Sequence, residues 1–275
     1  MLKLLLTTQL EQISSEIDER VLTHIRYGQV NKFESYEGIC LISFDWYDIQ
    51  HMYAKPSQIL IYFTKQHIFF LCEDERCLQH VQQLVSETAT NEKTLYGFFV
   101  ELLKGDIDNL EQLEERITEA EDDLLTTSRS ASAGEIIAFR RELLRLKKYY
   151  EQLNQIFEGL MENENNLIEP DELRYFRILD SRIDRLFAHV LNLRDYVTQV
   201  REAYQAQIDI EQNNLMKIFT VVTAIFLPLT LIVGWYGMNL KMPEFSWEYG
   251  YPFVILLSVA VVILCILYFK RKKWF

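Results

Sequence analysis

Two uninterrupted apolar runs close the chain. Ile218 to Tyr236 holds no charged residue over about nineteen positions. A helix of that length covers roughly 30 Å, the hydrocarbon thickness of a bilayer. Phe253 to Phe269 is a little shorter and also uncharged. Between them, Gly237 to Pro252 leaves room for a hairpin loop and no more. Upstream the apolar positions alternate by three and four: Phe176, Leu179, Ile183, Leu186, Val190, Leu193, Val197, Val200 and Tyr204. That spacing is a heptad seam. From Asp171 no Gly or Pro interrupts the chain until Pro228, and Pro170 suits a first helical turn. Seam and first span therefore read as one helix, roughly 100 Å long. The seam turns polar at Gln207, Glu211 and Asn214, just before the span. A pure coiled coil gains nothing from that change, whereas a water-filled entrance does.

Earlier segments are shorter. Ile39 to Phe44 and Ile59 to Phe63 are β-rich runs, and His67 to Cys72 follows closely enough to form a hairpin with the second. Glu75 to Ser86 carries Leu78, Val81, Leu84 and Val85 at helical spacing. The N-terminal MLKLLL lacks the length and cleavage site of a signal peptide and reads as a first strand. This is a small α/β domain whose strand order the pattern leaves open. Two helices follow. One runs from about Glu92 to Leu125, with Phe99, Leu103, Leu110, Leu113, Ile117 and Leu124 on its apolar stripe. The other runs from about Gly134 to Met161, with Ile137, Leu144, Leu153, Ile156 and Leu160 facing inward. Thr126 to Ala133 turns between them, so they pack antiparallel. The expected division is 1–90, 91–168, 169–217, the spans 218–236 and 253–269 with the loop 237–252 between them, and a tail, 270–275.

Charge sharpens this picture. The net charge is −12, yet the stretch from Lys241 onward is +3, so the part before the first span carries −15. Such an acidic soluble part argues against nucleic acid as a partner. It is compatible with hydrated divalent cations, although acidic residues such as Glu111 to Asp123 also make an ordinary solvated face. Lys270 to Lys273 follow the last span, so the positive-inside rule places the C-terminus, and with two spans the N-terminal part, in the cytoplasm. Cys40, Cys72, Cys77 and Cys265 lack zinc-site spacing and read as reduced, buried thiols. The five histidines are scattered, and no nucleophile–base pair or phosphate loop supports an enzyme.

Four features occur together near the end: Pro228-Leu229-Thr230, Tyr236-Gly237-Met238-Asn239, Met242-Pro243-Glu244 and the terminal KRKKWF. In this context the chain resembles the CorA family of magnesium channels. The close match covers Glu169 to Phe275. Residues 91 to 168 match in helical character, and 1 to 90 in position. The resemblance implies an α-helical membrane protein with a small N-terminal α/β cytosolic domain, and a long stalk helix continuous with the first of two transmembrane helices. It also implies a funnel-shaped homopentamer in the plasma (inner) membrane, with magnesium as the transported and regulatory ion and no organic cofactor.

One face of the first span runs Asn213, Met216, Phe219 or Thr220, Thr223, Leu227, Thr230, Gly234. It is narrow, apolar and broken by hydroxyls, a surface that can gate by dewetting. It also suits plain lipid or helix packing. The resemblance places Asn213, Met216, Leu227, Thr230 and Asn239 at pore-lining positions and Phe219 at an apolar constriction. Gly237, Met238 and Asn239 would form the selectivity filter. Magnesium dehydrates reluctantly, and a ring of asparagine amides can accept hydrogen bonds from its water shell without adding net charge. Asn239 also suits a helix cap. Glu244 and Glu248 can raise the cation concentration at an external mouth. In the family an acidic residue follows a Tyr-Phe-Arg on the stalk. Here Ile178 follows Tyr175-Phe176-Arg177, and Asp180 and Asp184 are the nearest candidate regulatory carboxylates. A cobalt, nickel or zinc carrier of the same superfamily and a membrane-tethered coiled-coil scaffold are the alternatives.

Overall fold

Five strands form one mixed sheet: β1 (Leu2–Leu6), β2 (Phe33–Tyr36), β3 (Ile39–Trp46), β4 (Ser57–Phe63) and β5 (Ile68–Cys72). The order across it is β1-β5-β4-β3-β2. β1 pairs parallel with β5, Leu4 opposite Phe70, and the remaining pairs are antiparallel. All five residues of β5 are buried, as its unbroken apolar sequence requires of a strand covered on both faces. One face is closed by a 3₁₀ segment, Thr7–Ile13, and α1 (Glu19–Arg26), which set Leu10, Ile13, Val21 and Ile25 against Leu41, Tyr62, Phe69 and Leu71. On the other face Phe44 and Phe70 meet Phe99 and Phe98. α2 (Glu75–Leu84) starts at Asp74, whose carboxylate accepts from the Cys77 amide. Cys40, Cys72 and Cys77 are free and buried. This computed structural model describes residues 1–28, 30–49, 54–126, 129–238, 247–272 and 274, with backbone alone at 125–126 and 129–133.

The helix expected from Glu92 to Leu125 is two helices, α3 (Asn91–Leu102) and α4 (Asp106–Thr126). Gly105, at φ +82°, makes the break with a conformation that side chains disfavour. The apolar stripe nevertheless holds: Phe99, Leu103, Leu110, Leu113, Ile117 and Leu124 are all buried. α5 runs Arg129–Glu162. Its inward stripe is Ile136, Phe139, Leu143, Leu146, Tyr150 and Leu153, whereas Ile137 and Leu144 stay more than half exposed. The expectation chose the wrong one of two adjacent apolar positions, because Ile136-Ile137 and Leu143-Leu144 are both doublets.

α6 (Pro170–Tyr236) is a single helix of 67 residues and α7 (Gly250–Arg271) is one of 22. The chain divides into two compact units, Met1–Arg201 and Glu202–Phe275, and α6 contributes to each. In the first unit Phe176, Leu179, Ile183, Leu186, Val190, Leu193, Val197 and Val200 are at most 2% exposed within a single chain. Phe176 packs against Tyr96 and Phe157. Arg182 donates to the Leu103 carbonyl (2.8 Å), His189 pairs with Glu114 (3.1 Å), and the Tyr196 hydroxyl donates to Glu121 (2.5 Å). The seam is thus filled by the chain's own helices. It is not free to bind a second copy, so its heptad spacing reflects packing within the chain.

Asp106 opens α4 buried, at 4% exposure, and accepts a hydrogen bond from the Tyr150 hydroxyl (2.9 Å). Burial pushes its carboxyl up to about 6, against that hydrogen bond and the Arg182 charge. The fold therefore favours the protonated form. Its contribution is complete below about pH 4, the range of an unfolded aspartate, and is lost as pH rises through about 6. Asp106→Asn keeps an acceptor for Tyr150 and removes the titration. Across that window the wild type should lose stability relative to the variant, by at most about 3 kcal/mol. Denaturant midpoints of both proteins against pH measure this, and a flat difference would contradict it.

Candidate pore face and filter

The second unit holds both apolar helices, and by length and composition each can cross a membrane. Their side chains are largely exposed in the single chain, with Val221 and Phe269 as the buried apolar exceptions. An apolar helix surface without a protein partner suits lipid or neighbouring helices. Lys270 and Arg271 sit in the last turn of α7, where cations complement the helix dipole. Trp247, Tyr249 and Tyr251 lie at its other end, all exposed, as aromatic side chains do at a membrane interface.

The expected pore face falls on α6. Met216, Phe219 and Leu227 are each more than 60% exposed, and Asn213, Thr220, Thr223 and Thr230 share their outward placement. An open groove of about 870 Å³ along this helix brings Thr223, Leu227, Thr230, Gly234 and Met238 together with Phe226 and Trp235. Asn213, Met216, Phe219 and Thr220 are not part of its lining. Three hydroxyls have the same arrangement. Thr220 donates to the Met216 carbonyl (2.7 Å), Thr223 to that of Phe219 (2.8 Å) and Thr230 to that of Phe226 (2.9 Å). Each hydroxyl has one hydrogen to give, and here it goes to the backbone. What each oxygen presents outward is lone pairs. The waters around a cation point their hydrogens outward, so acceptors are the groups that can meet a hydrated ion.

α6 ends where Gly237 donates to the Val233 carbonyl (2.8 Å) and Met238 to that of Trp235 (3.3 Å). A Cβ added at Gly237 would lie 2.9 Å from the Val233 oxygen, a backbone atom that cannot swing away. The closing turn therefore requires glycine there. Gly237, Glu248 and Trp247 border a second hollow of about 420 Å³ with Tyr236 and Tyr251. Asn239 and Glu244 lie outside the described residues. Asp180 and Asp184 lie in the first unit. Burial raises the Asp180 carboxyl, and Asp184 and then Glu158 add to the shift. Among the described residues, no three His, Cys, Asp or Glu side chains converge as a metal site.

A sequence model of the CorA family, described as CorA-like Mg2+ transporter protein, matches residues 6–271. The chain belongs to this family. The magnesium transport protein CorA of Yersinia pseudotuberculosis is 28% identical over 279 residues, covering 96% of this chain and 87% of that protein. The cobalt/magnesium transport protein CorA of Thermotoga maritima is 31% identical over 166 residues, covering 60% of this chain and 47% of that protein. The complete structure of the CorA magnesium transporter from Methanocaldococcus jannaschii superposes with a TM-score of 0.80 at 19% identity, covering 99% of this chain and 90% of that one. At that identity the likeness shows the CorA fold: a mostly helical chain with an N-terminal α/β domain, a long helix and two apolar helices. With its two candidate spans, this CorA chain is a membrane protein. The sequence pattern located the polar breaks on α6. It did not disclose the backbone commitment of the threonines, because any helical threonine can either face solvent or bond back to the preceding turn.

Proposed function

We propose that several copies of this chain, five by the family resemblance, surround an axial pore that admits magnesium. The observation that carries this reading is the outward face of α6, where three threonines present only acceptors along an apolar path. α6 lines the pore from Asn213 to Gly234, with Phe219 at its narrowest apolar level. Asn239 caps it as a ring of amides. Their oxygens accept hydrogen bonds from the ion's waters, so magnesium keeps its shell and avoids a dehydration it resists. An uncharged ring binds weakly enough to release, which throughput requires. Gly237 closes α6 tightly enough to place that ring, and Glu244 and Glu248 concentrate cations outside it. Residues 1–217 and the tail lie in the cytoplasm, and 237–252 outside. Asp180 and Asp184, with Glu158 near them, form a carboxylate field that cytosolic magnesium relieves weakly.

Thr230→Val removes an acceptor and its backbone bond at nearly constant shape, whereas Thr230→Ser restores both. Magnesium uptake should fall in the first and recover in the second. Equal rates in the two would remove the hydroxyl from the path. The name of the Thermotoga relative favours cobalt as a second cargo. Uptake into proteoliposomes of the purified protein, with magnesium, cobalt, nickel and zinc competing, tests the reading. Magnesium entry reduced by excess cobalt is expected. Sealed vesicles containing assembled protein but admitting no divalent ion would leave a scaffold.

A further inference from the structure

Pro228 stands inside the pore-lining helix. It has no N–H, so the carbonyl four residues earlier, that of Ala224, receives no bond from the helix ladder. A free carbonyl at this depth has no water to satisfy it. The structure supplies a donor from the other span. The Cys265 thiol on α7 lies 3.8 Å from the Ala224 oxygen, in donor geometry. Cys265 is a free, half-buried thiol. Two independent facts thus meet at one atom: covalent chemistry removes a donor from Ala224, and packing of the second span provides another.

We propose that Cys265 is a positioning residue for the pore. Its thiol ties α7 to α6 at the carbonyl left open by Pro228, and so fixes the pore-lining face on either side of that proline. An S–H group is a weak donor, which suits a contact that must hold two helices without locking them. A serine hydroxyl at 265 would make the same bond more strongly, and alanine would make none. Pro228→Ala returns the amide to the ladder, so the Ala224 carbonyl no longer needs the thiol. The two sites are therefore coupled, and Cys265 should matter only while residue 228 is proline.

The inference rests on the pore reading for its transport arm alone, and infrared spectroscopy tests the bond directly. The wild-type spectrum minus that of Cys265→Ala isolates one S–H stretch among the four cysteines. A band lowered by hydrogen bonding is expected. In Pro228→Ala, with Cys265 present, the band should move up. A band unmoved by Pro228→Ala would overturn the proposal. In proteoliposomes, Cys265→Ala should slow magnesium uptake about threefold, the scale of one interhelical hydrogen bond in a membrane. Its half-saturating concentration should not change. Cys265→Ser should restore the rate, and in the Pro228→Ala background neither substitution should matter. An equal loss in both backgrounds would make Cys265 a packing residue only. If no variant transports at all, the pore reading fails while the band still decides the bond.

Discussion

Asn239→Ala is expected to cut magnesium uptake about tenfold or more while the assembled protein keeps its size. A hydrogen bond to a charged partner contributes roughly 1.5–3 kcal/mol, and the substitution removes one from every subunit at the proposed filter. Asn239→Asp keeps the shape and adds one negative charge per subunit. Opposite charge at close range tightens binding, and tighter binding slows release. Both variants should therefore transport poorly, for opposite reasons: alanine by losing affinity, aspartate by gaining it. Uptake rates against external magnesium separate these, because half-saturation should rise in the first and fall in the second. A residue that only caps the helix would behave differently, since aspartate replaces asparagine well in such turns. Normal uptake by Asn239→Asp would favour the cap, and near-normal uptake by assembled Asn239→Ala would remove the filter assignment altogether.

The second large effect is on stability. Ile183 is wholly buried in the first unit, so Ile183→Ala leaves a cavity. Such truncations cost roughly 2–5 kcal/mol. The denaturant midpoint of the full chain in detergent should drop accordingly, with the mass of the assembled complex unchanged. Ile178, five residues earlier and 60% exposed, is the control: Ile178→Ser should stay within about 0.5 kcal/mol. A seam shared between subunits would reverse the pattern for Ile183, with dissociation preceding unfolding. Dissociation of Ile183→Ala without loss of fold would return the seam to the interface.

That seam shows what the sequence can and cannot carry. Its spacing placed Phe176 to Tyr204 on one face of one helix, and the structure buries that face from Phe176 to Val200. Periodicity is silent about which helix covers that face, and a chain with two further amphipathic helices can cover it alone. The same limit explains α5, where the doublets Ile136-Ile137 and Leu143-Leu144 fit two stripes and packing chose the first residue of each. β2 was invisible because Phe33–Tyr36 includes Glu34 and Ser35 and stays half-buried. β5 was plain because both of its faces are covered. The break at Gly105 was legible in principle: a glycine followed by an aspartate at a helix start is a recognised stop-and-start signal. For the candidate site, residue types at fixed spacing singled out the α6 face and Gly237 at the end of that helix, while Asn239 lies outside the described residues. Where each threonine hydrogen goes, and which group meets the Ala224 carbonyl, depends on rotamers and on the second span, which no linear pattern encodes.

The proposed function is conduction of a hydrated divalent ion through an oligomeric pore. The most direct measurement is the current across a planar bilayer holding the purified protein, with magnesium as the only permeant cation and unequal concentrations on the two sides. A current that reverses at the magnesium equilibrium potential and is nearly lost in Asn239→Ala is expected. A bilayer containing the assembled protein that carries no magnesium current, or a current indifferent to the magnesium gradient, would contradict it.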